Sequence, residues 1–149
     1  MTSFSIIIDS REQDKNIKEC LIKRGIPFII KKLDFGDFSF NYKGKSYEKE
    51  FVVERKNSVS EISGNFTKGS RRFKNEFYRG RKAKFIVMIE ADEEDVKEHN
   101  YRSSISSKEL RDRMWTWSLH YRLTIHFIKK RDATDFILNE IKQFLKKKV

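Results

Sequence analysis

Short apolar runs rich in Ile, Val and Phe alternate along this chain with stretches whose apolar residues recur at helical spacing, and no other feature restricts its fold as much. "FSIII" before Asp9 is a compact β-branched run, and "QDKNIKECLIKRG" follows with Ile17, Leu21 and Ile22 on one helical face and Gly25 as a stop. Pro27 opens a second extended run, "PFIIKKL", and "DFSFNY" with "SYEKEFVVE" predicts a hairpin turning across Lys43 to Lys45. Val59, Ile62, Phe66, Phe73 and Phe77 recur near the helical period, which predicts a helix from Ser58 to about Arg79, with Gly64 or Gly69 as a point of interruption. "KFIVMIEA" is the most apolar strand and is expected centrally in the sheet. Ser106 and Glu109 form a capping-box signature for a helix carrying Leu110, Met114, Trp117 and Tyr121. "LTIHFIK" reads as the last strand, and a closing helix from about Ala133 to Lys147 turns Ile137, Ile141, Phe144 and Leu145 inward. Alternation of this kind predicts an α/β sandwich, a central mixed β-sheet flanked by α-helices.

A chain of 149 residues, 38% apolar and with 13 Phe, closes one ordinary core, so a single domain over 1–149 is expected. No apolar run approaches the roughly 20 residues that cross a bilayer, and no leader-like segment opens the chain, which predicts a cytoplasmic protein without a membrane. Cys20 is the only cysteine and excludes an internal disulfide or a thiolate zinc cluster. Lys and Arg outnumber Asp and Glu by 33 to 22, a formal charge of +11. That excess favours a polyanion, because phosphate contacts release condensed counterions, and nucleic acid is the first candidate. An interfacial membrane helix is the rival, but no segment pairs a strong apolar face with a Lys-lined opposite face.

"EFVVERKN" raises a sharper question, since a strand that should bury itself ends on Glu54, Arg55 and Lys56. Side chains alternate along a strand, so Glu54 and Lys56 project on one side, roughly 6.5–7 Å apart, and Val53 and Arg55 on the other. An antiparallel hairpin can bring Asp37 beside Glu54. Asp9 ends the first strand, at the edge where α/β sheets commonly hold a site. Hard carboxylate oxygens gathered there suit Mg²⁺ or Mn²⁺, which take one or two carboxylates and keep places for water and phosphate oxygens. Lys56 would orient or activate a metal-bound water, or stabilise charge developing on the phosphorus. A single Glu-x-Lys is common on solvated strands, where the ion pair is worth roughly 0–1 kcal/mol. It gains meaning because "IIIDSRE", "GDF" and "VVERKN" stand in this order at strand ends of a basic chain.

Together these motifs resemble the XPF-type nuclease domain, the group that includes the archaeal Hef nuclease, within the PD-(D/E)XK restriction-endonuclease-like superfamily. The family pattern is Gly-Asp, a variable gap, then Glu-Arg-Lys followed after three residues by Asp. Gly36-Asp37 and Glu54-Arg55-Lys56 match it, and "DSRE" from Asp9 to Glu12 matches the upstream acidic-Arg motif. "GNFTKGSRRFKNEFYR" resembles the helical segment of small phage-type members, so the likeness runs from Ile6 to at least Phe127. The resemblance implies a divalent-metal-dependent DNA endonuclease for branched or flapped duplexes, a chemistry of DNA repair and recombination. By position, Asp37 and Glu54 would be metal ligands, Lys56 the catalytic lysine and Asp9 an additional acidic member. Arg11 and Arg55 would brace the acids or meet a phosphate, with Glu12 in support. The motif's last Asp is Ser60 here, and Glu61 is next. One residue on a helix is a turn of about 100°, so Glu61 does not automatically replace that carboxylate. Two other readings stay open: a catalytically degenerate DNA-binding module of the same fold, and a junction resolvase-like nuclease. The family commonly dimerises through this domain, which admits a homodimer.

DNA contact has separate candidates. On the helix whose apolar stripe runs through Phe66, Phe73 and Phe77, residues Lys68, Arg71, Arg72 and Arg79 fall on the opposite half and form a basic ridge. Ordinary amphipathic helices also carry Lys and Arg on their solvated face. Contacts of this type position DNA without reading its sequence. His99, His120 and His126 lack zinc-site spacing, and Trp117 falls in the apolar stripe of its helix.

Overall fold

Connection length decides strand direction in this molecule. In the computed structural model, which describes residues 3–148, β1 (Phe4–Asp9) feeds the helix α1 (Asn16–Lys23), and that crossover lays β2 (Phe28–Lys31) parallel to β1. Residues 1, 2 and 149 of the expected domain lie outside the described residues. The loop from β2 to β3 (Phe38–Tyr42) brings β3 antiparallel to β1. Lys43 and Gly44, both with positive φ (49° and 77°), then turn the chain tightly into β4 (Lys45–Ser46). The predicted hairpin exists, but its return strand is not continuous. The chain leaves the ladder through Tyr47–Glu50 and rejoins β3 only at β5 (Phe51–Lys56), where Phe38 faces Val53. Aromatic burial fills the detour: the Tyr47 ring stacks 4.7 Å from Phe40, and Phe144 packs against Tyr47 and Phe51.

Two further crossovers complete the parallel half. From β5 the chain passes through α2 (Val59–Asn65) and α3 (Ser70–Arg79) to β6 (Lys84–Ile89), and then through α4 (Glu94–Lys97) and α5 (Ser107–Tyr121) to β7 (Leu123–Phe127). The closing helix is α6 (Ala133–Lys147). Strand order is β2-β1-β3-β5-β6-β7, with β4 attached to β3, so the mixed sheet has seven strands. β6 is buried on both faces, as a run without alternation requires, although it stands one place in from the edge, and β3 and β5 hold the middle.

Helices cover both faces, each with its own core layer. Val52, Phe85, Val87 and Ile89 meet α2, α3 and α5 through Ile62, Phe73, Phe77, Leu110 and Trp117. Phe51, Val53, Ile86 and Met88 meet α1 and α6 through Ile17, Leu21, Ile137 and Ile141. Half of the predicted capping box at α5 forms, Ser106 Oγ accepting the Glu109 N–H at 3.1 Å, while the Glu109 carboxylate accepts from Arg113 instead. The short helix α4 is begun by Asp92 Oδ1 accepting the Glu94 N–H. Among the described residues no helix is long and apolar enough to cross a membrane.

Candidate active site

The period-two alternation of β5 sorts its last three residues between the two core layers. Glu54 and Lys56 follow Val52 onto the face covered by α2 and α3, and Arg55 follows Val53 onto the other. Because Phe38 pairs with Val53, the residue before Phe38 lands beside Glu54. Asp37 is locked there: its N–H donates to the Val53 carbonyl at 2.8 Å, its own carbonyl accepts from the Asp9 N–H at 2.8 Å, and its Oδ2 accepts from the Arg55 N–H at 2.7 Å. The preceding residue must be glycine. Gly36 has φ +78°, and a Cβ there would lie 2.6 Å from that of Val52.

Lys56 Nζ donates to Glu54 Oε2 at 2.9 Å and stands 4.7 Å over the Phe73 ring. Lys56 and Glu54 are both buried, 5% and 7% exposed. Glu54 Oε1 is enclosed without a hydrogen-bond partner. Burial, reinforced by Asp37, pushes the Glu54 carboxyl well above its usual range. Burial likewise lifts Asp37 to about 7 against the pull of the Arg55 N–H, and the Glu12 charge adds to the rise. Burial opposes the charge on Lys56, but the adjoining Glu54 outweighs it and holds the ammonium above its ordinary range. One lysine therefore serves two carboxylates, and the pair lacks positive charge.

Arg55 is enclosed on the opposite face by acids. Its Nη2 donates to Glu90 at 2.7 Å and Asp14 at 3.0 Å, its Nη1 meets Glu12 at 3.5 Å, and Lys130 adds an ion pair to Asp14 at 3.4 Å. Arg55 thus braces an acidic cluster, with Glu12 among its partners. Asp9, expected as a further member of the metal set, lines the same cleft as Asp37 and Glu54, and its carboxylate accepts from the Leu33 N–H at 2.8 Å and from Arg11 Nε at 3.0 Å. Arg11 also reaches the Leu33 carbonyl at 2.7 Å, so this arginine ties the end of β1 to the loop before β3.

Both networks border one open cleft of about 1040 Å³. Of the expected basic ridge, Arg72 and Arg79 line it, whereas Lys68 and Arg71 do not. A basic ridge over all four needs one helix, but the helix is interrupted between α2 and α3, so Lys68 sits in the connection and its angular position does not carry over. Ser60 points elsewhere, its Oγ accepting from the Arg102 N–H at 3.1 Å. Glu61 lines the cleft but caps α2, Oε1 accepting the Asn57 N–H at 2.7 Å. Asp14, Glu76, Glu90 and Lys130 also reach the cleft and were not foreseen. Glu90 had a signal, a carboxylate closing an apolar strand as in β1 and β5. Glu76 had a weaker one, its spacing from Arg72 and Arg79 along one edge of α3.

Among the described residues no group of three or more His, Cys, Asp or Glu side chains is arranged to hold a metal ion. The Asp37–Glu54 pair, with an orphaned buried oxygen and two carboxyls raised by burial, fits a hard divalent cation whose remaining places go to water and phosphate oxygens.

The family model of the ERCC4 domain matches residues 8–140. Among solved structures, XPF from Aeropyrum pernix is similar at a TM-score of 0.67 and 20% identity, over 89% of this chain and 57% of that one. XPF from Aeropyrum pernix in complex with DNA is similar at 0.70 and 17%, over 97% of this chain and 66% of that one. This chain therefore spans less than two thirds of either, and at these identities the likeness is one of fold, the mixed sheet between helical layers. No curated protein sequence matches.

Proposed function

This chain belongs to the ERCC4 domain family, and on that premise we propose that it is a divalent-metal-dependent endonuclease that hydrolyses phosphodiester bonds in branched or flapped DNA. The observation that carries the reading is the Asp37–Glu54 pair beside Lys56, short of positive charge and open to a cleft with arginines on its rim. Asp37 and Glu54 would hold Mg²⁺ or Mn²⁺. When bound, such an ion supplies a Lewis acid for the phosphoryl oxygen and a water that ionises more readily. Lys56, kept cationic by Glu54 and shielded from solvent by Phe73, is placed to stabilise negative charge developing on the phosphate or to orient the attacking water. Arg55 fixes Asp37 through its backbone N–H. Arg72 and Arg79 would meet the phosphate backbone without reading sequence. Duplex in this cleft is supported by the net charge and by the relative solved with DNA. The proposed workplace is the cytoplasm or nucleoid, and a homodimer is part of the proposal.

Cleavage of labelled flap, fork and four-way DNA with Mg²⁺ or Mn²⁺, alongside Glu54→Gln, tests this reading; cutting that needs the ion and Glu54 is expected. Binding without cutting under both ions would select a catalytically degenerate DNA-binding module, which the turned-away Ser60 favours. Cutting confined to four-way DNA would select a resolvase-like enzyme.

A further inference from the structure

The motif position that should bring a third acid to this site brings none. Ser60 does not line the cleft, and its hydroxyl is spent on the Arg102 N–H. A carboxylate does arrive from another element. Glu76 on α3 lines the cleft, and its Oε2 accepts the Gly36 N–H at 3.0 Å, one residue before Asp37.

That bond falls at the tightest point of the backbone. Gly36 has a left-handed φ and leaves no room for a side chain against Val52, so the turn that aims Asp37 at Glu54 has one conformation, and Glu76 holds its free N–H. α3 is itself fixed by Phe73 and Phe77 in the core, 3% and 0% exposed, and one helical turn separates Phe73, under Lys56, from Glu76. The helix that supports the lysine thus also supports the aspartate. Glu76 also brings a carboxylate to the cleft that Asp37 and Glu54 line. Within the pair, Glu54 Oε1 is the oxygen left buried and unpartnered.

We propose, resting on the metal-nuclease reading above, that Glu76 takes over the role of the motif's missing aspartate: it positions Asp37 through Gly36 and supplies the third negative charge that draws a divalent cation to the Asp37–Glu54 pair. It acts from outside the pair, since among the described residues no third carboxylate joins Asp37 and Glu54 in a metal-holding group. Outer carboxylates of this type typically change metal affinity about 10–100-fold.

The test is Mn²⁺ binding to the DNA-free protein, followed by electron paramagnetic resonance, with the thermal midpoint recorded for each variant. Glu76→Gln keeps an acceptor for the Gly36 N–H and removes the charge; it should fold like the wild type and bind Mn²⁺ about tenfold more weakly. Glu76→Ala, losing both, should bind more weakly still. Ser60→Asp should leave affinity unchanged and should not rescue Glu76→Gln, because its side chain is directed to Arg102. Wild-type affinity in Glu76→Gln would overturn the proposal by reducing Glu76 to a brace, and rescue by Ser60→Asp would overturn it by returning the role to the motif position. Both of those outcomes presuppose that Glu54→Gln abolishes Mn²⁺ binding. If Glu54→Gln binds like the wild type, or the wild type binds nothing, the metal reading itself falls and takes this inference with it.

Discussion

On one face of β5 Arg55 is enclosed by Glu12, Asp14 and Glu90, with Lys130 closing the set; on the other, Asp37 and Glu54 share the single ammonium of Lys56. Residues adjacent in sequence thus stand in networks of opposite balance. Around Arg55, Asp14 is depressed below its ordinary range although burial works against it, because backbone and cationic partners are close. At the Asp37–Glu54 pair both carboxyls are raised and one oxygen has no partner. Arg55 Nε and Glu90 Oε2 are also enclosed without a partner and burial raises Glu12, so the two sides differ in their ion pairs, three carboxylates meeting Arg55 and one meeting Lys56. The Arg55 side therefore reads as framework and the Glu54 side as the working surface.

The widest separation of the two should come from Arg55→Met. It strands Glu90, whose side chain is 2% exposed, and removing one partner of a buried pair costs roughly 3–5 kcal/mol. Urea unfolding at neutral pH should show that loss, and an unchanged midpoint would dissolve the distinction. Glu54→Gln should do the reverse: cleavage falls by at least about 10²–10³-fold, the scale on which loss of one charge-stabilising group in an active site is felt, while the cation-free protein is as stable as the wild type or more so. Destabilisation by Glu54→Gln would move Glu54 to the framework side.

Acidity gives Asp37 and Asp14 opposite signs. Asp37 is raised from 3.8 to about 7 in the fold, so between those values the folded chain holds a proton that the unfolded chain has released. Its contribution is fully present below the unfolded pKa and is lost as pH rises through about 7. Asp14, with its folded pKa lowered, contributes above its unfolded value and loses that only as pH falls through its folded one. In EDTA, raising the pH from 5 to 8 should cost the wild type on the order of 2–3 kcal/mol more than Asp37→Asn. Mg²⁺ should return most of that at pH 8. Identical pH profiles for the two proteins would show that Asp37 is not held protonated.

How much of this was legible depended on the distance over which each element is decided. Strand period alone placed Glu54 with Lys56 and sent Arg55 to the other face, and a hairpin sufficed to bring Asp37 alongside, even though its return strand bends out at Tyr47–Glu50. Both are local or nearest-strand effects. Glu76, Glu90 and Lys130 reach the cleft only through the crossovers and the closing segment, which no local period reports. Lys68 leaves the expected face for a related reason: an angle of 100° per residue is valid only while the helix lasts, and α2 ends at Asn65. The side chain of Ser60 is settled by a backbone N–H 42 residues away.

The smallest expected effect separates neighbours on α3. Arg72 lines the cleft, Arg71 does not, and Arg79 is partly neutralised by Asp34, with Nη2 donating to that residue's carbonyl at 3.2 Å. If the acid floor and the basic rim are halves of one DNA-binding surface, a phosphate meets Arg72 in full, Arg79 less and Arg71 hardly at all. Each phosphate contact contributes about 0.9 to the slope of log affinity against log salt, so Arg72→Ala should lower that slope by about 1. Between 50 and 200 mM salt that is about a threefold change in how far affinity falls. Arg71→Ala should leave the slope nearly intact although it removes the same charge from the same helix. Equal effects from the two would mean that DNA responds to the general field of the chain and not to the rim of this cleft, and the working surface would then end at its acidic floor.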